Sequence, residues 1–454
     1  MSLDSLILPG LLTLVIVLAA APIVWRLRAH DRMVRKKLEH AKELGSNETV
    51  SLHPKIDEGL CIGCEECVRG CPEQDVILTY KNKATVVDAT ECVGHGICER
   101  VCPVAAIILV VGTEKRGLEL PRLTEHFETN VPGLYVVGEL GGMGLIRNAI
   151  WQSTQAMKQI AAQKPKAPPG GVQVLIAGAG PAGLASAISA KAAKLSFRVV
   201  EQGEIGGSML HYPRRKLVMT HPGELPGVGP FPFKEVEKEP LVAFWKTVIQ
   251  QLQLTIETGT TLTKVTKQDG GHLLVETTKG TIAAANVVLA LGRRGSPRRL
   301  EVPGEVASKV LDRLIEPEQF DSRRCLVVGG GTAALETALS LSERPGAVVT
   351  LCHRREAFAG ARAGVIERFL SAEKDGKVEV LRNAKVTAVE PERVLFEVAG
   401  QAAERPNDFV FVMIGGTPPF ELLKSCGVNL ETKFAAPLGR VSRISRIGRR
   451  LSLS

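Results

Sequence analysis

The chain has 454 residues, 44% of them hydrophobic, which is enough for two or three domains with sizeable cores. Its formal charge of +9 is concentrated in two clusters, Arg26, Arg28, Arg32, Arg35, Lys36 and Lys37 near the start and Arg440, Arg443, Arg446, Arg449 and Arg450 at the end. With aromatic residues at only 4% and no stacking platform beside the basic runs, the composition speaks against nucleic acid and leaves an anionic membrane surface or solvated tails.

Ser5 to Trp25 carries no charge and is interrupted only by Pro9, Gly10, Thr13 and Pro22. As a helix this run matches the ~30 Å hydrocarbon core of a bilayer. Only Asp4 precedes it and the first basic cluster follows, so the positive-inside rule places the amino end outside and the rest in the cytoplasm. Ala19 to Ala21 imitates a cleavage site, but the positively charged start of a signal peptide is missing, which favours an uncleaved single-pass anchor in the cell (inner) membrane. One span without histidine cannot hold a membrane haem, so it reads as a tether.

Seven of the ten cysteines form one block. Cys61-x2-Cys64-x2-Cys67-x3-Cys71-Pro72 has the spacing of a bacterial ferredoxin motif, in which three thiolates serve one iron-sulfur cube and the fourth serves a neighbour. Cys92, Cys98 and Cys102-Pro103 repeat Cys61, Cys67 and Cys71-Pro72 at an interval of 31 residues, with Ile77 and Ile107 as matching core positions. Four-ligand runs ending in Cys-Pro, given twice, argue against zinc. Crossed ligation assigns Cys61, Cys64, Cys67 and Cys102 to a [4Fe–4S] cluster. Cys71, Cys92 and Cys98 fall to the other, whose fourth position is His95. Either the imidazole ligates that iron, or the iron is absent and the cluster is [3Fe–4S]. Such clusters belong in a reducing compartment. Cys325, Cys352 and Cys426 form no Cys-x-x-Cys pair, and the first two read as buried small hydrophobes.

After this block comes Thr124-Glu125-His126-Phe127-Glu128-Thr129-Asn130-Val131-Pro132-Gly133-Leu134-Tyr135-Val136-Val137-Gly138-Glu139 and a predicted helix from about Leu145 to Ala162. This stretch resembles the last flavin-binding segment of the thioredoxin-reductase-like pyridine nucleotide disulfide oxidoreductases. The resemblance implies that Glu139, standing for the family's Asp after Gly138, receives a ribityl hydroxyl of FAD, and that the helix points its N-terminus at the flavin. Here the segment comes first, whereas the family places it at the carboxyl end. The linker Ala167-Pro168-Pro169-Gly170-Gly171 follows, and the order suggests a circular permutation. At the other end, Phe409 to Pro419 is similar to the family's return strand and is followed only by a short basic tail, so the piece missing there is the piece found upstream.

Val174 to Gly183 reads as strand, glycine turn and helix. Gly178 makes the turn, Gly180 admits a pyrophosphate with Pro181 and Ala182 after it, and Gly183 lets the small-residue helix expected over Leu184 to Ala193 pack close to the strand. The helix N-terminus supplies free N–H groups for the phosphates. Glu201, ending the next strand, stands where an adenosine ribose offers its hydroxyls. Gly206 and Gly207 read as a flavin approach, and Asn286 to Gly292 resembles the family's Ala-Thr-Gly strand with Leu291 in the Thr place. A second nucleotide site follows at Cys325 to Glu336, with Gly329, Gly331, Thr332 and Ala333 in the turn. Its second strand ends in His353-Arg354-Arg355, cations that suit a ribose 2′-phosphate and match the family's NADPH motif, favouring NADPH over NADH. The redox Cys-x-x-Cys of low-molecular-weight thioredoxin reductases is missing, because Arg298 to Arg324 contains no cysteine.

These signals predict a multidomain α/β chain with a small α+β part: an N-terminal transmembrane helix, a ferredoxin-like two-cluster domain and two Rossmann-like three-layer domains. The expected boundaries are anchor 1–28, basic juxtamembrane segment 29–55, ferredoxin 56–111, permuted strand and helix 112–163, linker 164–171, FAD domain 172–300, NAD(P)H domain 301–407, return to the FAD domain 408–439 and basic tail 440–454. The implied activity passes a hydride between NADPH and FAD and single electrons between FAD and two clusters, to or from a redox protein or quinone. Alternatives are a flavoenzyme reducing a quinone or disulfide, and a membrane redox sensor. A homodimer is compatible with either. His211 to Lys216 is a candidate gate or docking loop, and Val441, Ile444, Ile447 and Leu451 among the tail arginines suit an amphipathic surface helix.

Overall fold

The computed structural model describes residues 4–437 except Gln74, Val93, His95, Met143, Pro213, Arg215, Lys216, His221, Pro222, Arg294, Ala359 and Gly360; the side chains of residues 4–15, Leu217, Met219 and Ser296 also lie outside the description. The described chain forms two compact units, one from residues within 1–49 and 53–110, the other from 50–52 and residues within 111–441.

The first unit begins with one helix, Asp4–Leu44. The helix continues past residue 28 into the basic segment, because nothing between Trp25 and Leu44 caps or breaks a helix. Gly45, at φ +67°, ends it as a left-handed cap, with Ser46 N–H donating to Ala41 O at 2.8 Å. Val34 and Ala41, two turns apart, are buried. Its first half is different: Ile16, Val17, Leu18, Ile23, Val24 and Trp25 are all exposed. Among the described residues, no helix is long and apolar enough to cross a membrane, and the span expected over 5–25 lies partly outside the described side chains.

The rest of this unit is the repeat expected from the cysteines. Strand His53–Ile56 pairs antiparallel with Ile107–Val111, and Ile77–Tyr80 with Lys83–Val86. Two short helices, Glu66–Gly70 and Ile97–Val101, occupy equivalent places and each runs into an extended cysteine, Cys71 and Cys102. They pack so closely that a Cβ on Gly70 would stand 3.3 Å from Ile97 Cγ2. Ile77 and Ile107 are buried, as their matching positions imply.

In the second unit, strand Gly280–Leu289 lies between two parallel neighbours. Val172–Ala177 pairs with one edge, and Leu134–Val136 pairs with the other at Val287, Val288 and Leu289. Phe197–Val200 extends the sheet beyond Val172–Ala177. Thus the early segment takes a place inside the flavin-domain sheet, and helix Ile146–Ala162 packs on Pro181–Ala192, with Ser153 Oγ donating to Ala182 O at 2.8 Å. Strand Leu430–Lys433 runs antiparallel to Leu118–Pro121 with Lys433 opposite Leu118. This is a hairpin without its turn, at the place where the permuted order expected from the sequence would open the chain.

The second Rossmann-like layer has the parallel order Val310–Leu311, Phe409–Val412, Arg324–Val328, Val348–Cys352, Val378–Leu381. Helices Thr332–Ser342 and Ala363–Lys374 accompany it, and an antiparallel meander, Ala384–Val389, Arg393–Val398 and Gln401–Pro406, packs onto the apolar residues of its strands. Cys325 and Cys352 are buried in these strands, as expected of small hydrophobes.

Candidate functional site

The flavin site is a bare-backbone cleft. Gly178 has φ +106° and would place a Cβ 2.4 Å from Ala290 O, which holds the turn against the strand that follows; Gly183, on the helix, would drive a Cβ into Gly178 O. At Gly180 a Cβ would meet only Gly207 Cα, at 3.9 Å, among the described residues. Gly206 N–H donates to Ala179 O at 2.9 Å, so the Gly206-Gly207 turn lies beside the first glycine turn. Helix Pro181–Ala192 starts there with Pro181 at its first position and Ala182 packed against Gly138. Its unpaired N–H groups and positive dipole end fit a pyrophosphate.

Glu201 is 8% exposed, with its oxygens accepting from Ala179 N–H at 2.6 Å and Gly203 N–H at 2.8 Å. It braces the glycine turn, and each carboxylate oxygen retains acceptor capacity for a hydroxyl. Arg198 grips Glu257 through two bonds of 2.7 Å behind this strand.

The early segment supplies the other wall. Gly138, at φ +82°, donates its N–H to Gln152 Oε1 at 2.7 Å, and a Cβ there would come within 3.0 Å of Ala182 Cβ. Glu139 is exposed beyond it. Burial lowers the pKa of Arg293, next to Gly292, and the Glu139 carboxylate offsets this, so the two charged groups are neighbours. Neither Gln152 nor Arg293 was legible in the sequence, since no motif marks them. Gln152 Nε2 is buried with no hydrogen-bond partner among the described atoms, a donor available to a bound group. The residues present therefore fit FAD.

At the second glycine turn, Gly329 has φ +147° and lies against Met413 O, while Gly331 caps helix Thr332–Ser342 with no described atom within 4 Å of a Cβ. Thr332 and Ala333 open that helix, and Thr332 Oγ1 accepts Arg362 N–H at 3.0 Å. This brings Arg362, exposed and unmarked in the sequence, to the mouth of the site. His353 departs from the sequence reading. Its ring packs under Gly330, its Nε2 meets Ala357 O at 3.1 Å, and it is 9% exposed, so it supports the turn from beneath. Burial, with Arg355 and Arg354 adding to it, lowers its pKa and favours the neutral ring. Arg354 and Arg355 are exposed at the strand end.

In the ferredoxin unit the cysteines gather in one apolar cluster, in which Cys61, Cys67, Cys98 and Cys102 are buried and Cys71 and Cys92 pack against them. Burial pushes the Cys67 thiol up to about 11, with Cys61 and then Cys102 adding to it. Burial likewise raises Cys98 to about 12, with Cys92, then Cys71 and, more weakly, Cys67 adding to it. Backbone N–H groups aim at two sulfurs, Ala106 at Cys102 Sγ (3.2 Å) and Ala84 at Cys61 Sγ (3.4 Å). Cys64 is half-buried on the same loop, its carbonyl accepting Arg69. Among the described residues no three His, Cys, Asp or Glu converge as ligands of a single ion. In a cubane each iron takes one thiolate, which spaces the cysteines more widely. His95 lies outside the described residues.

The loop singled out at His211 leans on the second layer: His211 Nδ1 and Arg313 Nη1 are 2.7 Å apart, and Arg214 N–H donates to Ile315 O at 3.4 Å. Pro213, Arg215, Lys216 and the tail from 438 onward lie outside the described residues.

A family model described as "Pyridine nucleotide-disulphide oxidoreductase" matches residues 175–438, and one described as "4Fe-4S dicluster domain" matches residues 54–110. The ferredoxin–NADP reductase of Ignicoccus hospitalis is 30% identical over 281 residues, covering 57% of this chain and 82% of its own. Bacilliredoxin reductase Bdr of Bacillus subtilis is 25% identical over 271 residues, covering 58% and 83%. Among solved structures, bacillithiol disulfide reductase Bdr from Bacillus cereus aligns with a TM-score of 0.50 at 27% identity, over 57% of this chain and 82% of that one. With the glycine clefts, these matches establish that the chain belongs to the pyridine nucleotide-disulphide oxidoreductases and carries a 4Fe-4S dicluster ferredoxin domain in the same polypeptide.

Proposed function

We propose that the protein is a membrane-tethered reductase in which NADPH exchanges a hydride with FAD and single electrons move between FAD and two iron-sulfur clusters, serving an external carrier. Flavin, when bound, supplies the conversion between two-electron and one-electron chemistry. The observation that carries this reading is a covalent union: a cleft suited to FAD and a nucleotide turn followed by Arg354 and Arg355 share one chain with a two-cluster cysteine array.

The chain's own residues divide the work. Gly180, Gly206, Gly207 and the start of helix Pro181–Ala192 hold the FAD pyrophosphate, Glu201 the adenosine ribose, and Gly138 with Glu139 the ribityl end. Gly329, Gly331, Thr332 and Ala333 hold the NADPH pyrophosphate, with the guanidiniums of Arg354 and Arg355 on its 2′-phosphate. Cys61, Cys64, Cys67 and Cys102 hold a [4Fe–4S] cluster, while Cys71, Cys92 and Cys98, with His95 opposite the fourth iron, hold a [4Fe–4S] or [3Fe–4S] cluster. The apolar half of helix Asp4–Leu44 is the anchor, with the redox units on the cytoplasmic side.

The name of the Ignicoccus relative supports a ferredoxin-like carrier. A disulfide substrate, as the Bdr names would suggest, is disfavoured by the three cysteines outside the ferredoxin: Cys325, Cys352 and Cys426 are buried, and burial pushes the first two to about 12. The test is anaerobic NADPH oxidation by a one-electron dye and by a low-molecular-weight disulfide. We expect turnover with the dye, a large loss of it in Cys64→Ser, and none with the disulfide; disulfide turnover that survives Cys64→Ser would overturn the reading.

A further inference from the structure

The N-terminal helix and the ferredoxin hairpin enclose a groove of about 720 Å³. Its walls come from elements 50 residues apart, tied together at several points: Lys81 N–H donates to Asp31 Oδ1 at 3.1 Å, His30 Nε2 meets Thr79 O at 3.0 Å, and Lys37 Nζ donates to Asp75 Oδ1 at 2.6 Å. The hairpin turn is sharp, with Lys81 and Asn82 at φ +48° and +61°, and it projects Lys81 toward the helix. The groove is therefore built by the fold and is more than a run of basic residues on an isolated helix.

Its chemistry is graded along the helix. Ala21, Val24 and Trp25 line the end nearer the apolar half, and Trp25 is 66% exposed. Arg28, Arg32 and Arg35, spaced on one helix face, line the other end, with Lys81 and Tyr80 across from them. The carboxylate in the lining, Asp31, already accepts the Lys81 N–H. An apolar mouth leading to four cations suits an amphiphile with an anionic head, and an aromatic ring at the boundary suits the level of lipid headgroups.

We propose that this groove binds the phosphate-bearing headgroup of an anionic phospholipid, fixing the ferredoxin unit against the membrane surface. The proposal rests on the reading of residues 5–25 as an anchor. A groove between two elements predicts selective retention, whereas diffuse attraction of a basic helix does not.

The test is native mass spectrometry of the full chain released from detergent micelles, with phosphatidylglycerol, phosphatidylcholine or inorganic phosphate added. The parent should retain phosphatidylglycerol in preference to phosphatidylcholine and keep it in excess phosphate. Arg32→Gln and Lys81→Gln should each weaken retention about fivefold. Arg26→Gln with Lys36→Gln, cations outside the lining, should leave it unchanged. Iron and flavin contents serve as the folding control. Equal retention of the two lipids, displacement by phosphate alone, a neutral quinone as the bound mass, or equal weakening by both sets of variants would overturn the proposal. If carbonate washing without detergent strips the parent from membranes, the anchor itself is wrong; a protein that resists washing yet shows no lipid preference refutes the groove alone.

Discussion

Asn130 and Asn429, 299 positions apart, are locked together: the Asn130 side chain accepts the Asn429 N–H at 2.7 Å and donates to Gly427 O at 2.8 Å. These bonds stand beside the pairing of Leu430–Lys433 with Leu118–Pro121 and align the carboxyl end of the reductase with a segment placed before its first glycine motif. The permutation can therefore be undone on paper. A chain running from Ala167 to Lys433, then through a two-residue turn into Leu118 to Gln163, should bind FAD. The 167–437 piece alone, lacking the strand that covers Val287 to Leu289, should not. Flavin absorbance of the purified products reads the difference.

Gly183 should tolerate no side chain. A Cβ there meets Gly178 O, so Gly183→Ala should yield flavin-free protein destabilised by about 1–3 kcal/mol or more, measured by denaturant unfolding. Gly331→Ala, at the position that corresponds to Gly180 and with no described atom within 4 Å of an added Cβ, should keep the fold.

Arg354 and Arg355 should set coenzyme choice. Replacing both with Gln should raise KM for NADPH by roughly 10-fold to 100-fold, the loss expected of charge-assisted hydrogen bonds, while leaving KM for NADH nearly unchanged. His353→Ala should impair both coenzymes alike, because its ring supports the Gly330 turn. Steady-state kinetics with the two coenzymes separates these outcomes.

The cysteines should fail in two groups. Cys102→Ser should disturb the same EPR signal as Cys61→Ser, although the two are 41 positions apart, and Cys98→Ser the same signal as Cys71→Ser. His95→Cys should convert the second signal toward that of an ordinary [4Fe–4S] cluster. A spectrum that does not change on this replacement would remove the argument that residue 95 controls cluster type.

The Arg198 hydrogen bonds hold the Glu257 carboxyl below its usual range. A depressed folded-state value stabilises the fold above the unfolded pKa of about 4.3, and the contribution disappears as pH falls through the lower folded value. Both partners are about a third exposed or more, so the effect is small, about 0.5–1 kcal/mol. Glu257→Gln should be less stable than the parent at pH 7, and the gap should close below about pH 4. Thermal unfolding across pH checks this.

Much of this was legible in the sequence because it is written in spacing. Glycines 178, 180 and 183 and the 31-residue cysteine repeat are dictated by backbone sterics and ligand geometry, which allow few alternatives. What escaped depends on contacts between distant residues. The role of His353 is set by the bare Gly330 backbone above it, and Gln152 and Arg293 acquire meaning only when strand Leu134–Val136 is seen beside Val287–Leu289. Helix Asp4–Leu44 runs on past Arg26 because composition changes there while helix-forming character does not.

The most direct test is anaerobic rapid mixing of the holoprotein with NADPH, following flavin absorbance near 450 nm and freeze-quenching samples for EPR. The account predicts that the flavin band bleaches first and that cluster signals then appear as it partly recovers. Flavin that bleaches and stays bleached, with both clusters remaining in their starting state, would contradict it.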